Sequence, residues 1–212
     1  MEKQYCWEML STTNQKVVDT LKKSGKELDK FWGITVDPPL VFLVKSRKEI
    51  DKFWGRKTES WMSAWTTNGT IFILDPKVYE KESDHKLEHF WKTIKHEYCH
   101  LYYRRVAGVG VPRWLNEGLA CYLAEQVKKT SEKKVLLRVN DFYDKGGSEV
   151  YGLGYFWAKM LVEKFGKAKL MKLLKGMKPV MKQKQFGEHF KKVYGFSLTK
   201  TDLSKLVDTV TK

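Results

Sequence analysis

The sequence predicts an α+β protein: an N-terminal lobe of helices around a small, mostly antiparallel or mixed sheet, followed by a helical C-terminal lobe. Three observations carry this. The clear strand-like stretches, Leu40-Val41-Phe42-Leu43-Val44 and the Trp- and Thr-rich segment from Ser60 to Leu74, all lie before residue 75. From Leu87 onward apolar residues recur three and four apart, the period of a helix with one buried face. Strands followed by a run of helices read as α+β rather than as alternating βαβ units. At 212 residues the chain is long enough for a sizeable core, and 42% hydrophobic residues place it among globular rather than disordered sequences. We expect one domain over 1–212, with an N-terminal lobe at 1–107 and a helical C-terminal lobe at 108–212.

Taken in order, residues from about Ser11 to Phe31 carry a helical pattern (Val17/Val18, Leu21, Leu28, Phe31/Trp32), stopped by Gly33. Pro38-Pro39 breaks the chain before Leu40–Val44, whose continuous apolar run reads as a buried strand. Ser46 with Glu49 three residues on reads as a capping box opening a helix that Gly55 ends near Trp54. Asn68-Gly69 is a hairpin turn signal, giving strands Trp61–Thr66 and Thr70–Leu74. Asp75 to Asp84 reads as a polar connection. A long helix follows from Leu87, with Asp84 as its cap and Gly108 as its stop beyond Arg104 and Arg105. Pro112 reads as the first-turn proline of a helix running to about Lys129. Val135–Val139 reads as a strand or loop, Glu149–Phe165 as a helix, and Leu170–Leu174 and Phe186–Thr211 as amphipathic helices.

The chemistry concentrates in His96-Glu97-Tyr98-Cys99-His100, inside the long helix. Imidazoles four apart stand on one face, one turn from each other, so both can reach one metal ion. Glu97 is then placed to handle a metal-bound water rather than the metal. This is the H-E-x-x-H pattern of zinc hydrolases. A catalytic zinc takes three protein ligands and keeps one position for water. The next helix carries Trp114-Leu115-Asn116-Glu117-Gly118, and Glu117 is the natural third ligand. Gly108-Val109-Gly110-Val111-Pro112 is short enough to fold that helix back beside the first.

Together these two segments resemble the gluzincin metallopeptidases, the clan of the thermolysin and aminopeptidase N families and of small peptidase MA-like domains. Asn116-Glu117-Gly118 is close to the aminopeptidase N form, but the connection between the halves is shorter, which is more similar to a small peptidase MA-like protein. The resemblance implies a zincin-like fold with the active site between the lobes, and one catalytic Zn2+ held by His96, His100 and Glu117. It also implies Glu97 as general base and a peptide or protein substrate. Tyr151-Gly152-Leu153-Gly154-Tyr155 resembles the Tyr-x-x-Gly that supplies a phenol to the tetrahedral intermediate. The role falls on Tyr151, with Tyr155 one turn on as reserve. In the clan a strand before the metal helix borders the cleft, so one edge of the 61–74 hairpin would hold substrate backbone by strand addition. No counterpart of the Gly-x-Met-Glu-Asn stretch that grips a free amino terminus is found, which favours cutting within a chain. The segment from Phe186 to Leu198 resembles the close of peptidase MA-like domains; His189 there is either a second electrophile or a surface residue. Cys121 stands where thermolysin has an aspartate that orients a ligand histidine. The acceptor for the imidazole N–H is therefore a main-chain carbonyl or a carboxylate from elsewhere.

The rest of the composition bounds the alternatives. Three cysteines, Cys6, Cys99 and Cys121, are odd in number and widely spaced, which argues for reduced thiols. Cys99 and Cys121 are each read as small buried packing residues or as thiol ligands. The net charge of +15 is mostly lysine. It permits nonspecific binding to nucleic acid or acidic surfaces, or is the solvated face of a very soluble protein, as at Lys164, Lys167, Lys169, Lys172, Lys175 and Lys178. No apolar run approaches membrane-span length. Met1–Trp7 is polar with no long apolar segment after it, so we expect a cytoplasmic protein, with an exported, trimmed form as the alternative. Two further functions stand beside the peptidase: a basic nucleic-acid- or partner-binding protein whose zinc site is structural or relict, and a latent peptidase covered by its own termini.

Overall fold

A computed structural model describes residues 9–11, 14–126, 128–129, 131–179 and 181–210. Among them are ten α-helices and a four-stranded mixed sheet, so the α+β class holds. Two compact units divide the chain after Leu101.

In the first unit β1 (Met9–Ser11), β2 (Leu40–Val44), β3 (Ala64–Thr67) and β4 (Thr70–Leu74) form a sheet of order β1-β2-β4-β3. β2 runs parallel to β4, and the other two pairings are antiparallel. Alternation assigns the two faces. Val41, Leu43, Ile71 and Ile73 line one and are buried, and Thr66 shares it. Phe42, Phe72 and Trp65 form a row across the other, with ring centroids 5.4 and 5.0 Å apart. Phe53 of α2 (Arg47–Trp54) covers that row, 4.7 Å from Trp65. β2 is apolar throughout because it is interior with both faces covered; only Leu40, at its end, is exposed. Asn68 and Gly69 both adopt positive φ, 46° and 75°, as the two-residue hairpin turn requires.

α1 (Gln15–Trp32) lies along α4 (Leu87–Ala107). The Tyr98 ring is in contact with the Gly25 position, Lys95 pairs with Glu27, and Lys16 sits 4.3 Å over the Trp91 ring. Asn14 caps α1 by accepting from the Lys16 N–H, and Gly33 closes it at φ 68°. The Arg47 guanidinium organises the chain between α2 and β3. It donates to the carbonyls of Glu59, Ser60, Met62 and Glu82 and to the Thr58 hydroxyl, while the Arg47 N–H meets the Glu82 carboxylate.

The second unit holds α5 (Arg113–Leu123), α6 (Lys133–Leu136), a 3-10 turn (Val139–Phe142), α7 (Glu149–Glu163), α8 (Lys167–Lys175), α9 (Gln183–Tyr194) and α10 (Lys200–Val210). α5 and α7 touch backbone to backbone. A Cβ on Gly118 would fall 2.1 Å from the Gly154 carbonyl oxygen, and one on Gly154 would fall 2.3 Å from the Trp114 carbonyl oxygen. The six lysines between Lys164 and Lys178 are all exposed. No helix among the described residues is long and apolar enough to cross a membrane.

Several expectations are corrected. Ser11 ends a strand, and the first helix starts only at Gln15; residues 12 and 13 lie outside the described residues, as do Cys6 and the polar start. Ser46 precedes α2 but makes no side-chain cap bond, so the capping box is not formed. β3 begins at Ala64 rather than Trp61, and a short helix α3 (Tyr79–Glu82) interrupts the 75–84 connection. Asp84 does not cap α4: it accepts from the Ser60 hydroxyl at 2.6 Å, and the first carbonyl of the helix, accepting from His89, is that of Lys86. α5 ends at Leu123, six residues short of Lys129, because Glu125 turns to φ 53°. Residues 133–142 form two short helical turns and no strand.

Candidate metal centre

His96 and His100 stand one turn apart on α4, their rings 4.8 Å apart and nearly perpendicular. Glu117 comes from α5. One ligand atom from each of His96, His100 and Glu117 lies within 4.8 Å of the others, a group that can hold a metal ion. Two imidazole nitrogens and a carboxylate oxygen are the donor types of a three-ligand zinc site. Among the described residues neither Cys99 nor Cys121 joins the group; both are fully buried.

Burial argues that these polar groups are there for a reason. Every residue of α5 from Trp114 to Cys121 is buried, so a carboxylate within that stretch sits where its charge is costly. Glu117 is nevertheless there, at 6% exposure. A buried carboxylate needs a cation or several donors. Arg113, one turn earlier on the same face, approaches Glu117 Oε1 at 3.5 Å but is itself half exposed. The connection from α4 is fixed by side chains of both helices. The Tyr103 phenol donates to the Val111 carbonyl at 3.1 Å, and the Asn116 amide to the Gly110 carbonyl at 3.1 Å. Pro112 flanks α5 rather than lying within it, and its carbonyl accepts from Leu115 and Asn116. Gly108, at φ 73°, ends α4 as the sequence indicates.

Glu97 points from α4 toward β3, where the Thr66 hydroxyl donates to its Oε2 at 2.7 Å. A second contact from the same hydroxyl, to the Glu97 carbonyl, is longer at 3.2 Å. One proton serves one strong bond, so the carboxylate takes it. A chain of hydroxyls of fixed direction runs to the same helix. Thr93 donates to the His89 carbonyl, so its oxygen accepts from Tyr79, which in turn accepts from Ser63. Burial pushes the Tyr79 phenol up, its bonds to Ser63 and Thr93 oppose this, and the nearby Glu97 charge pushes the same way as burial.

Tyr151 is half buried on the first turn of α7, with the Lys128 ammonium 5.7 Å from its ring. It lies one turn before Gly154, where α7 meets the residue next to Glu117. Tyr155 faces Tyr122, 6.5 Å away. His189 is no part of the group: its Nε2 meets the Leu173 carbonyl at 2.9 Å, and the ring lies against Gly176. Sequence reasoning missed Thr66 and Arg113. The Arg113–Glu117 pair was readable as an i,i+4 charge pair on one helix face. Thr66 meets Glu97 across 31 positions of chain, and no local pattern signals that. Comparison with protein-family models, with curated proteins and with solved structures finds no match to this chain.

Proposed function

We propose that the chain is a zinc-dependent metallopeptidase of the gluzincin kind, with a zincin-like fold, cutting peptide bonds within a chain. The observation that supports this most is the His96–His100–Glu117 group, with its ligand atoms within 4.8 Å and a second, buried carboxylate, Glu97, immediately beside the first imidazole. A zinc ion bound there would supply Lewis acidity to the scissile carbonyl and to water. In this reading Glu97 takes the proton of the attacking water and returns it to the leaving amine. Tyr151 offers a phenol O–H to the oxyanion that develops on the substrate. β3 is an edge strand of the sheet, whereas β4 is interior, so of the two hairpin strands β3 is the one to which an extended substrate would add.

The competing reading, a closed structural site in a basic binding protein, requires a fourth side chain on the ion. The two thiols that could serve lie outside the group. The test is hydrolysis of an unfolded, casein-like protein with one equivalent of zinc. Glu97→Gln is expected to keep zinc and lose nearly all turnover, whereas His96→Ala and Glu117→Ala lose zinc. A Glu97→Gln variant as fast as the parent overturns the assignment.

A further inference from the structure

We infer that Thr66 is a positioning residue for Glu97, fixing which carboxylate oxygen is left for the reaction and tying that carboxylate to the edge strand; this rests on the peptidase reading above. Glu97 is 7% exposed, and at that depth a carboxylate is held by its donors rather than by water. The Thr66 hydroxyl, 2.7 Å from Oε2, is a charge-assisted donor on a rigid element. Thr66 stands opposite Ile71 of β4, one position from the paired Thr67 and Thr70 that flank the Asn68-Gly69 turn. Both ends of the hydrogen bond are therefore anchored, one by the strand ladder and one by a helix turn that also carries His96.

The consequence is a division of labour between the two oxygens of Glu97. Oε2 is committed to the hydroxyl, so Oε1 is the oxygen turned to a water proton. A carboxylate without that bond would turn about its last torsion, a broad and soft one, and present either oxygen or neither. The geometry also links the general base to β3, an edge strand of the sheet, whose outer side is placed to pair with a peptide. A shift of β3 on pairing would reach Glu97 through a single hydrogen bond.

Thr66→Val and Thr66→Ser separate positioning from bulk structure. Valine keeps the β-branched shape that suits the strand and removes the donor, whereas serine keeps the donor. Both are loaded with zinc and assayed on unfolded casein, and zinc affinity is measured by chelator competition. The Glu97 carboxyl carbon is followed by NMR in the metal-free 13C-glutamate-labelled protein, assigned by its loss in Glu97→Gln. A misplaced group near the reacting atoms costs about 10²-fold, so Thr66→Val is expected to lose about that factor in kcat with KM little changed. Zinc affinity should stay at the parent's value, and the Glu97 resonance should move. Thr66→Ser should restore both kcat and resonance. Parental turnover in Thr66→Val, loss of zinc in Thr66→Val, or a Glu97 resonance that does not move overturns the proposal. If the parent itself cleaves nothing, the peptidase reading fails, and the carboxyl resonance alone still decides whether Thr66 holds Glu97.

Discussion

Alanine at Gly118 and alanine at Gly187 are the same substitution in the same kind of element, yet the structure gives them opposite signs. A Cβ on Gly118 would stand 2.1 Å from the Gly154 carbonyl oxygen and 2.3 Å from its carbon. Carbon and oxygen of neighbouring helices settle at about 3.3–3.6 Å, so α5 and α7 would have to part by roughly 1.2 Å. Backbone cannot swing away as a side-chain tip can, and forcing it costs about 3 kcal/mol, the upper end for overpacking. Alanine returns about 1 kcal/mol of helix propensity over glycine, leaving a net loss of about 2 kcal/mol. At Gly187, inside α9, nothing lies within 4 Å, and only the propensity gain remains. Urea unfolding followed by tryptophan fluorescence reads both. With a slope of about 2 kcal/mol per molar, the Gly118→Ala midpoint falls by about 1 M and the Gly187→Ala midpoint rises by about 0.5 M. Glu117 precedes Gly118, so zinc affinity should fall with it. A Gly118→Ala protein that unfolds at or above the parent midpoint, with zinc affinity intact, would refute the backbone contact and the placement of Glu117 that depends on it.

Other outcomes follow from single contacts. The Asp51 carboxyl is held below its usual range chiefly by the Thr58 hydroxyl, 2.6 Å away, and then by the Thr58 N–H. A carboxyl lowered by folding adds stability above its unfolded value, about pH 4, and loses it as pH falls through the folded value. Asp51→Asn should therefore cost stability at pH 7 and progressively less below pH 4; an equal cost at pH 7 and pH 2.5 contradicts this. Arg47→Lys supplies one ammonium where a planar fork serves four carbonyls. It should lose about 2–3 kcal/mol in urea unfolding, with Arg47→Ala at least as damaged; a parental midpoint in either would show that these bonds carry no stability.

What the sequence made legible is what is local. Gly33, Gly55 and Gly108 mark helix ends because a single positive φ is needed there, and Asn68-Gly69 marks its turn for the same reason. The imidazole pair was readable because four residues make one turn. Glu117 was readable because the Trp-Leu-Asn-Glu-Gly segment resembles a known pattern, not because spacing alone would bring it to α4. Ends set by tertiary contacts were not legible. Asp84 looks like a cap but is taken by Ser60, and the apolar run at 135–139 looks like a strand but is held in helical turns, where the Trp157 indole N–H donates to the Leu136 carbonyl. The four-stranded order placed β4 inside the sheet, which no single strand's pattern reveals.

Zinc-edge X-ray absorption on the protein loaded with one equivalent of metal tests the centre most directly. The account requires nitrogen and oxygen neighbours only, at about 2.0–2.1 Å, with two imidazole scattering patterns that vanish together with binding in His96→Ala. A sulfur neighbour at about 2.3 Å, or zinc retained unchanged in Glu117→Ala, would contradict it.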